Sequence, residues 1–153
     1  MIMNKPLLVR PARLFPVLVS TIVVACSGNP SRPFVAPESP ELTIRNFMTA
    51  VQSNNLPAMS ELWGTKDGPA TRTMNAEEAR KRLSVMQVYL RHDSYEVTPS
   101  IERITDNRSQ VFDVRITRDR CTPVVPFTVV RAGSGWLIQG IDLTQAGNPS
   151  RPC

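Results

Sequence analysis

The chain reads as an α+β domain, with N-terminal helices packed on a four-stranded antiparallel sheet. Three observations lead there. Ile44, Phe47, Met48 and Val51 recur at i, i+3, i+4 and i+7, the spacing of one helical face. Phe112, Val114 and Ile116 alternate with Asp113, Arg115 and Thr117, the period of a half-buried strand. Helical patterns fill the first part of the chain and strand patterns the second, the order of a fold that segregates helices from an antiparallel sheet.

The first helix starts at Ser39-Pro40-Glu41. Serine caps, proline suits the first turn, and the acid favours the positive end. Ser53-Asn54-Asn55 stops it. A short second helix follows Pro57, with Met59, Leu62 and Trp63 inward. Lys66-Asp67-Gly68-Pro69 is a turn, and a polar loop runs on to Thr73. Asn75 and Glu78 have capping-box spacing, with Asn75 as cap and Glu78 reaching back. The third helix runs to about Arg91 on a stripe of Ala79, Leu83, Met86 and Leu90. Val85 and Tyr89 widen that stripe, which predicts burial on more than one side.

Strands follow from Ser94. Tyr95, Val97 and Ile101 alternate around Pro99, which marks an edge strand or a bulge. Asp106-Asn107 is a hairpin turn. After the strand at Phe112 to Thr117, Arg118 to Pro123 connects to a third strand, Val124 to Arg131, with Phe127 and Val129 on one face. Ala132-Gly133-Ser134-Gly135 turns into the fourth, Trp136 to Leu143. Residues 145–153 form a Pro- and Gly-containing tail.

The N-terminal stretch is of another kind. Lys5, Arg10 and Arg13 precede an apolar run from Leu14 to Cys26, and no acid occurs before Glu38. These are the parts of a secretory signal. The run is too short to span a bilayer, which takes about 20 apolar residues, and Pro16 interrupts it. Val23-Val24-Ala25-Cys26 resembles the lipobox of bacterial lipoproteins, with Val23 for the commoner leucine and Val24 for the commoner small residue. That resemblance implies a signal peptide over 1–25 and acylation of Cys26 by diacylglycerol and palmitate-type chains. It also implies a lipid anchor at the bacterial cell envelope, on the periplasmic side of the outer or inner membrane. Residues 26–39, with Gly28, Pro30, Pro33 and Pro37, form an extended linker. The 128 residues left after cleavage comprise this linker, one domain, 40–144, and the tail 145–153. The formal charge of +5 falls to +2 once Lys5, Arg10 and Arg13 leave, which together with export argues against a nucleic-acid partner.

If Cys26 carries lipid, Cys121 and Cys153 remain, and an oxidising envelope favours a disulfide between them. No metal site is expected, since His92 is the only histidine and no CxxC spacing occurs. No cofactor is expected.

Helices followed by a four-strand meander resemble the nuclear-transport-factor-two-like, or ketosteroid-isomerase-like, superfamily. The carrying stretches are Pro40 to Asn55 with Met59-Leu62-Trp63, Phe112 to Thr117, and Gly135-Trp136-Leu137-Ile138 with Ile141-Asp142-Leu143. The resemblance implies a cone with an apolar pocket at its open end. The alternative fold is a cystatin-like helix-on-sheet. Family enzymes place an acid, sometimes with His or Tyr, in the pocket. No family catalytic motif maps onto this chain, so no catalytic residue is assigned. Tyr89, His92 and Asp142 are the pocket candidates. His92-Asp93 has the composition of a dyad, but neighbours at a helix end point apart. Arg115, Arg118, Arg120 and Arg131 read as a solvated sheet face, not an anion patch. The functional expectation is a non-catalytic envelope lipoprotein that is membrane-bound through its anchor and binds a small apolar ligand or an envelope protein partner. The alternatives are an isomerase or dehydratase, and a structural accessory that docks through its sheet. The sequence does not fix the oligomeric state.

Overall fold

The computed structural model describes residues 35–100 and 107–151. The chain divides into two units, Met1–Arg32 and Pro33–Cys153, and every described residue belongs to the second. The signal segment, Cys26, Ile101, Asp106 and Cys153 lie outside the described residues. Among those described, no helix is long and apolar enough to cross a membrane.

Helix α1 spans Pro40–Gln52, and the Ser39 hydroxyl oxygen accepts from the Leu42 N–H as its cap. Its predicted face, Ile44, Phe47, Met48 and Val51, is buried. The exposed pair Glu41–Arg45 bridges one turn at 2.6 Å, and this hydrogen bond holds the Arg45 guanidinium above its ordinary pKa. Helix α2 spans Leu56–Leu62, one residue earlier than the proline suggests, because the Asn55 side chain caps it through the Ala58 N–H. The segment read as a turn and loop is more ordered than expected. Strands β1 (Gly64–Thr65) and β2 (Gly68–Pro69) form a minimal hairpin, and α3 (Ala70–Thr73) adds one helical turn. Gly68 carries the turn at φ 136°, a backbone conformation that L side chains rarely adopt.

Helix α4 spans Ala76–Tyr89. Asn75 caps it by accepting from the N–H groups of Glu77 and Glu78. The reciprocal half of the capping box is absent, because the Glu78 carboxylate turns forward to Arg82 at 2.7 Å. The wide stripe is also corrected. Ala79, Leu83 and Leu90 are buried, but Val85 is 51% exposed and Val88 47%. Helix α4 packs along one side only, and its two valines lie off that face.

The main sheet runs β3 (Ser94–Pro99), β4 (Ser109–Thr117), β5 (Val124–Ala132) and β6 (Gly135–Ile141) in meander order, all antiparallel. It is curved and not closed. Strand β3 is the edge that Pro99 marked. The bulge is elsewhere, between Thr128 and Val129, where β6 holds one extra residue, Gln139, against β5. A bulge there sharpens the local twist. The closing strand is shorter than read from sequence. After Ile141 the chain enters a 3-10 helix, Leu143–Ala146, capped by Asp142.

The strand faces follow the sequence alternation. Phe112, Val114 and Ile116 are buried, as are Val125, Phe127 and Val129 of β5, where Phe127 pairs with Phe112 and Val125 with Val114, whereas the Arg115 side chain is 55% exposed. These residues, with Trp136 and Ile138, form one core with Phe47, Met48, Met59 and Leu62. Phe47 meets Phe127 edge to face, with ring centroids 6.3 Å apart. Helical side chains therefore pack on the buried face of the sheet, as the register of β4 predicts. Before α1, the chain is already fixed to the sheet. The Trp136 N–H donates to the Pro37 carbonyl at 2.9 Å, and Gly135 leaves no room for a Cβ against Ala36.

Candidate functional site

Among the described residues, three of the hollows bear on the helices and the predicted pocket residues. The first is apolar and lies among the helices. Helix α4 presents Ala76, Ala79, Arg80 and Leu83 at i, i+3, i+4 and i+7. Helix α2 presents Leu56, Pro57 and Ser60, and Thr71 of α3 closes one end. The groove has a volume of about 400 Å³, within the roughly 300–1,000 Å³ of small-molecule sites. Ala76, Ala79 and Ser60 line it with small side chains, which leave space that larger ones would have filled. The Ser60 hydroxyl is turned to its own helix and donates to the Pro57 carbonyl at 2.7 Å.

The second hollow lies at the end of α4 and is lined by one of the pocket candidates, His92, with Asp93, Arg118 and Asp119. His92 Nδ1 lies 2.9 Å from the Leu90 carbonyl, so the proton sits on Nδ1 and the ring is held at the helix end. Its Nε2 is buried, with no hydrogen-bond partner among the described residues. The ring stands edge-on to Tyr95, with centroids 5.1 Å apart. Asp93 points elsewhere, as the helix-end geometry predicts, and its carboxylate accepts from the Asp119 N–H at 3.0 Å. Asp119 itself has φ 52°, the left-handed conformation of a tight turn.

Arg118 organises this corner. Its guanidinium donates to the Tyr89 carbonyl at 2.9 Å and to the Ala146 carbonyl at 3.0 Å. A fixed cation there satisfies terminal carbonyls of α4 and complements the helix dipole. It ties the end of β4 to the last turn of α4 and to the 3-10 helix. The four sheet arginines thus diverge. Arg118 turns inward, Arg131 lies over the Trp136 ring at 5.5 Å, Arg115 is 3.9 Å from Glu96, and Arg120 is exposed.

The third hollow lies beside the 3-10 helix. It is lined by Cys121, Gln145 to Asn148 and Arg151, among others. Cys121 is 3% exposed and pairs with Arg118 through both backbone hydrogen bonds of an isolated bridge.

The three pocket candidates are not brought together. Tyr89 packs at the border of the core, and its backbone serves Arg118. His92 sits at the end of α4. Asp142 caps the 3-10 helix by accepting from the backbone and hydroxyl of Thr144. Each has a structural partner, and none faces another across a cavity. Sequence reading missed the α2–α4 groove. Its one signal was the run of small residues, Ala76 and Ala79, on the inward face of α4.

Compared by sequence, the chain matches no protein-family profile and no curated protein. Compared by structure, it is similar to a Thiobacillus denitrificans ATCC 25259 protein described as a calcium/calmodulin-dependent protein kinase type II association domain. That pair has TM-score 0.45 and 16% identity, over 71% of this chain and 95% of that one. A de novo designed protein with a curved β-sheet gives TM-score 0.42 and 14% identity, over 67% and 96%. A nuclear-transport-factor-two-like protein of unknown function from Shewanella oneidensis MR-1 gives TM-score 0.40 and 15% identity, over 66% and 92%.

Proposed function

We propose that this chain is a lipid-anchored protein of the bacterial cell envelope whose domain, of the nuclear-transport-factor-two-like kind, acts by binding and not by catalysis. The binding surface is the groove between α2 and α4, and its occupant is a small apolar ligand. The observation that carries this reading is the placement of apolar space. Helix and sheet side chains pack into one closed core, while an open, largely apolar groove lies between the helices. The dispersal of Tyr89, His92 and Asp142 into separate structural roles supports the non-catalytic half of the proposal.

The test is a neutral probe. An uncharged phenylnaphthylamine should bind the chain from Pro33 onward and gain fluorescence. Ser60→Phe, which puts a ring into the groove from a half-buried position, should weaken that binding about tenfold or more. Equal binding by both proteins, with matched unfolding midpoints, would remove the groove as the site.

Cys121 and Cys153 form the disulfide in this proposal. Arg151, two residues before Cys153 in sequence, lines the same hollow as buried Cys121, which supports the pairing. Cross-linking the intervening segment stabilises by about 3 to 4 kcal/mol in the chain-entropy model. Mature unreduced protein should leave both thiols unalkylated, and reduction should lower the denaturation midpoint. Alkylation of both without reductant would contradict the pairing.

A further inference from the structure

The groove between α2 and α4 is apolar except at one point. Leu56, Pro57, Ala76, Ala79 and Leu83 give it an apolar surface, and no acidic side chain lines it. The one charged residue in its wall is Arg80, which is exposed. Its isolation follows from the order of charges along α4. Glu77 pairs with Lys81 at 3.0 Å, and Glu78 pairs with Arg82 at 2.7 Å, each at i, i+4. Both acids of the helix are thereby used. One turn either side of Arg80 stand Ala76 and Ser84, and the Ser84 hydroxyl donates to the Arg80 backbone carbonyl, not to its side chain. Among the described residues, the Arg80 guanidinium has no carboxylate partner.

We propose that the groove takes a single-chain anionic amphiphile, a long-chain fatty acid, with its hydrocarbon between α2 and α4 and its carboxylate on Arg80. This deepens the reading of the groove as the binding surface and rests on it. The physical fit has two parts. Hydrocarbon removed from water gains in proportion to the apolar area it buries. A guanidinium presents a planar fork that matches a carboxylate through two parallel hydrogen bonds, and at the edge of an apolar surface that pairing is less screened than in open water. An uncharged hydrocarbon would use the first part only. A polyanionic ligand would meet a single cation.

The test uses the full-length chain in its own membranes. A long-chain fatty acid carrying a diazirine, and the alcohol of identical chain length, are each photolysed with the protein, and adducts are mapped by peptide mass spectrometry. The acid should label Leu56–Ser60 and Ala76–Leu83 about tenfold more than the alcohol. Arg80→Gln should bring acid labelling down to the alcohol level. Arg82→Gln, on the same helix but outside the groove, should leave the preference intact. Equal labelling of the groove by acid and alcohol in the unaltered chain would overturn the anionic head while leaving an apolar groove. A preference that survives Arg80→Gln would also overturn it. Labelling of neither segment by either probe would overturn both the fatty-acid proposal and the groove reading beneath it.

Discussion

Phe127→Ala should lower the stability of the domain by about 3 to 5 kcal/mol, the cost of deleting a buried aromatic from a packed core. Phe127 lies in a central strand, is fully buried, faces Phe112 across β4 and Ile141 across β6, and meets the edge of Phe47 from α1. It therefore joins the sheet to the first helix, and its removal leaves a cavity that the rigid strand pairing on both sides cannot close. Arg115→Ala, on the opposite face of β4, should change stability by under about 0.5 kcal/mol. Its one ionic neighbour, Glu96, is 3.9 Å away and both side chains are mostly exposed, so the pair contributes little. Denaturant melts of the two variants decide the matter. Equal losses would mean that the strand faces are assigned the wrong way round, and with them the face of the sheet on which the helices pack.

The parts of this fold that were legible in the sequence are those where burial imposes a period. Helix α1 has four apolar residues at helical spacing behind a serine cap, and nothing else fits that pattern. Strand β4 alternates cleanly because one face meets the core and the other meets water. The parts that were not legible lack such a constraint. Strands β1 and β2 have two residues each, too few to show any period, and α3 is a single turn in a polar stretch. Val85 misled because an apolar residue beside a buried stripe looks like part of it. Only the packing shows that α4 is covered on one side. Arg118 was one of four similar arginines until the topology brought the end of β4 to the last turn of α4. The groove was hidden for the opposite reason. It is made by the smallness of Ala76, Ala79 and Ser60, and missing bulk leaves no mark on a hydrophobic pattern. Arg80 likewise gained meaning only when its neighbours' pairings were known.

For the proposed anchor at Cys26, the variant with the largest expected cellular effect is Cys26→Ala. Without the thiol there is no atom for the lipid, so the variant should accumulate as uncut precursor or leave the membrane fraction. A single acyl chain holds a protein only marginally, at about 0.8 kcal/mol per buried methylene, while two or three chains hold it stably. Loss of the anchor should therefore be close to complete and insensitive to salt, since charge contributes little to it. The most direct measurement is the intact mass and N-terminal peptide of the protein extracted from membranes. A chain that begins at Cys26 and carries a diacylglyceryl thioether, with or without a further acyl group on its amine, is the predicted result. A chain that begins elsewhere, or an unmodified Cys26 in membrane-bound protein, would contradict it.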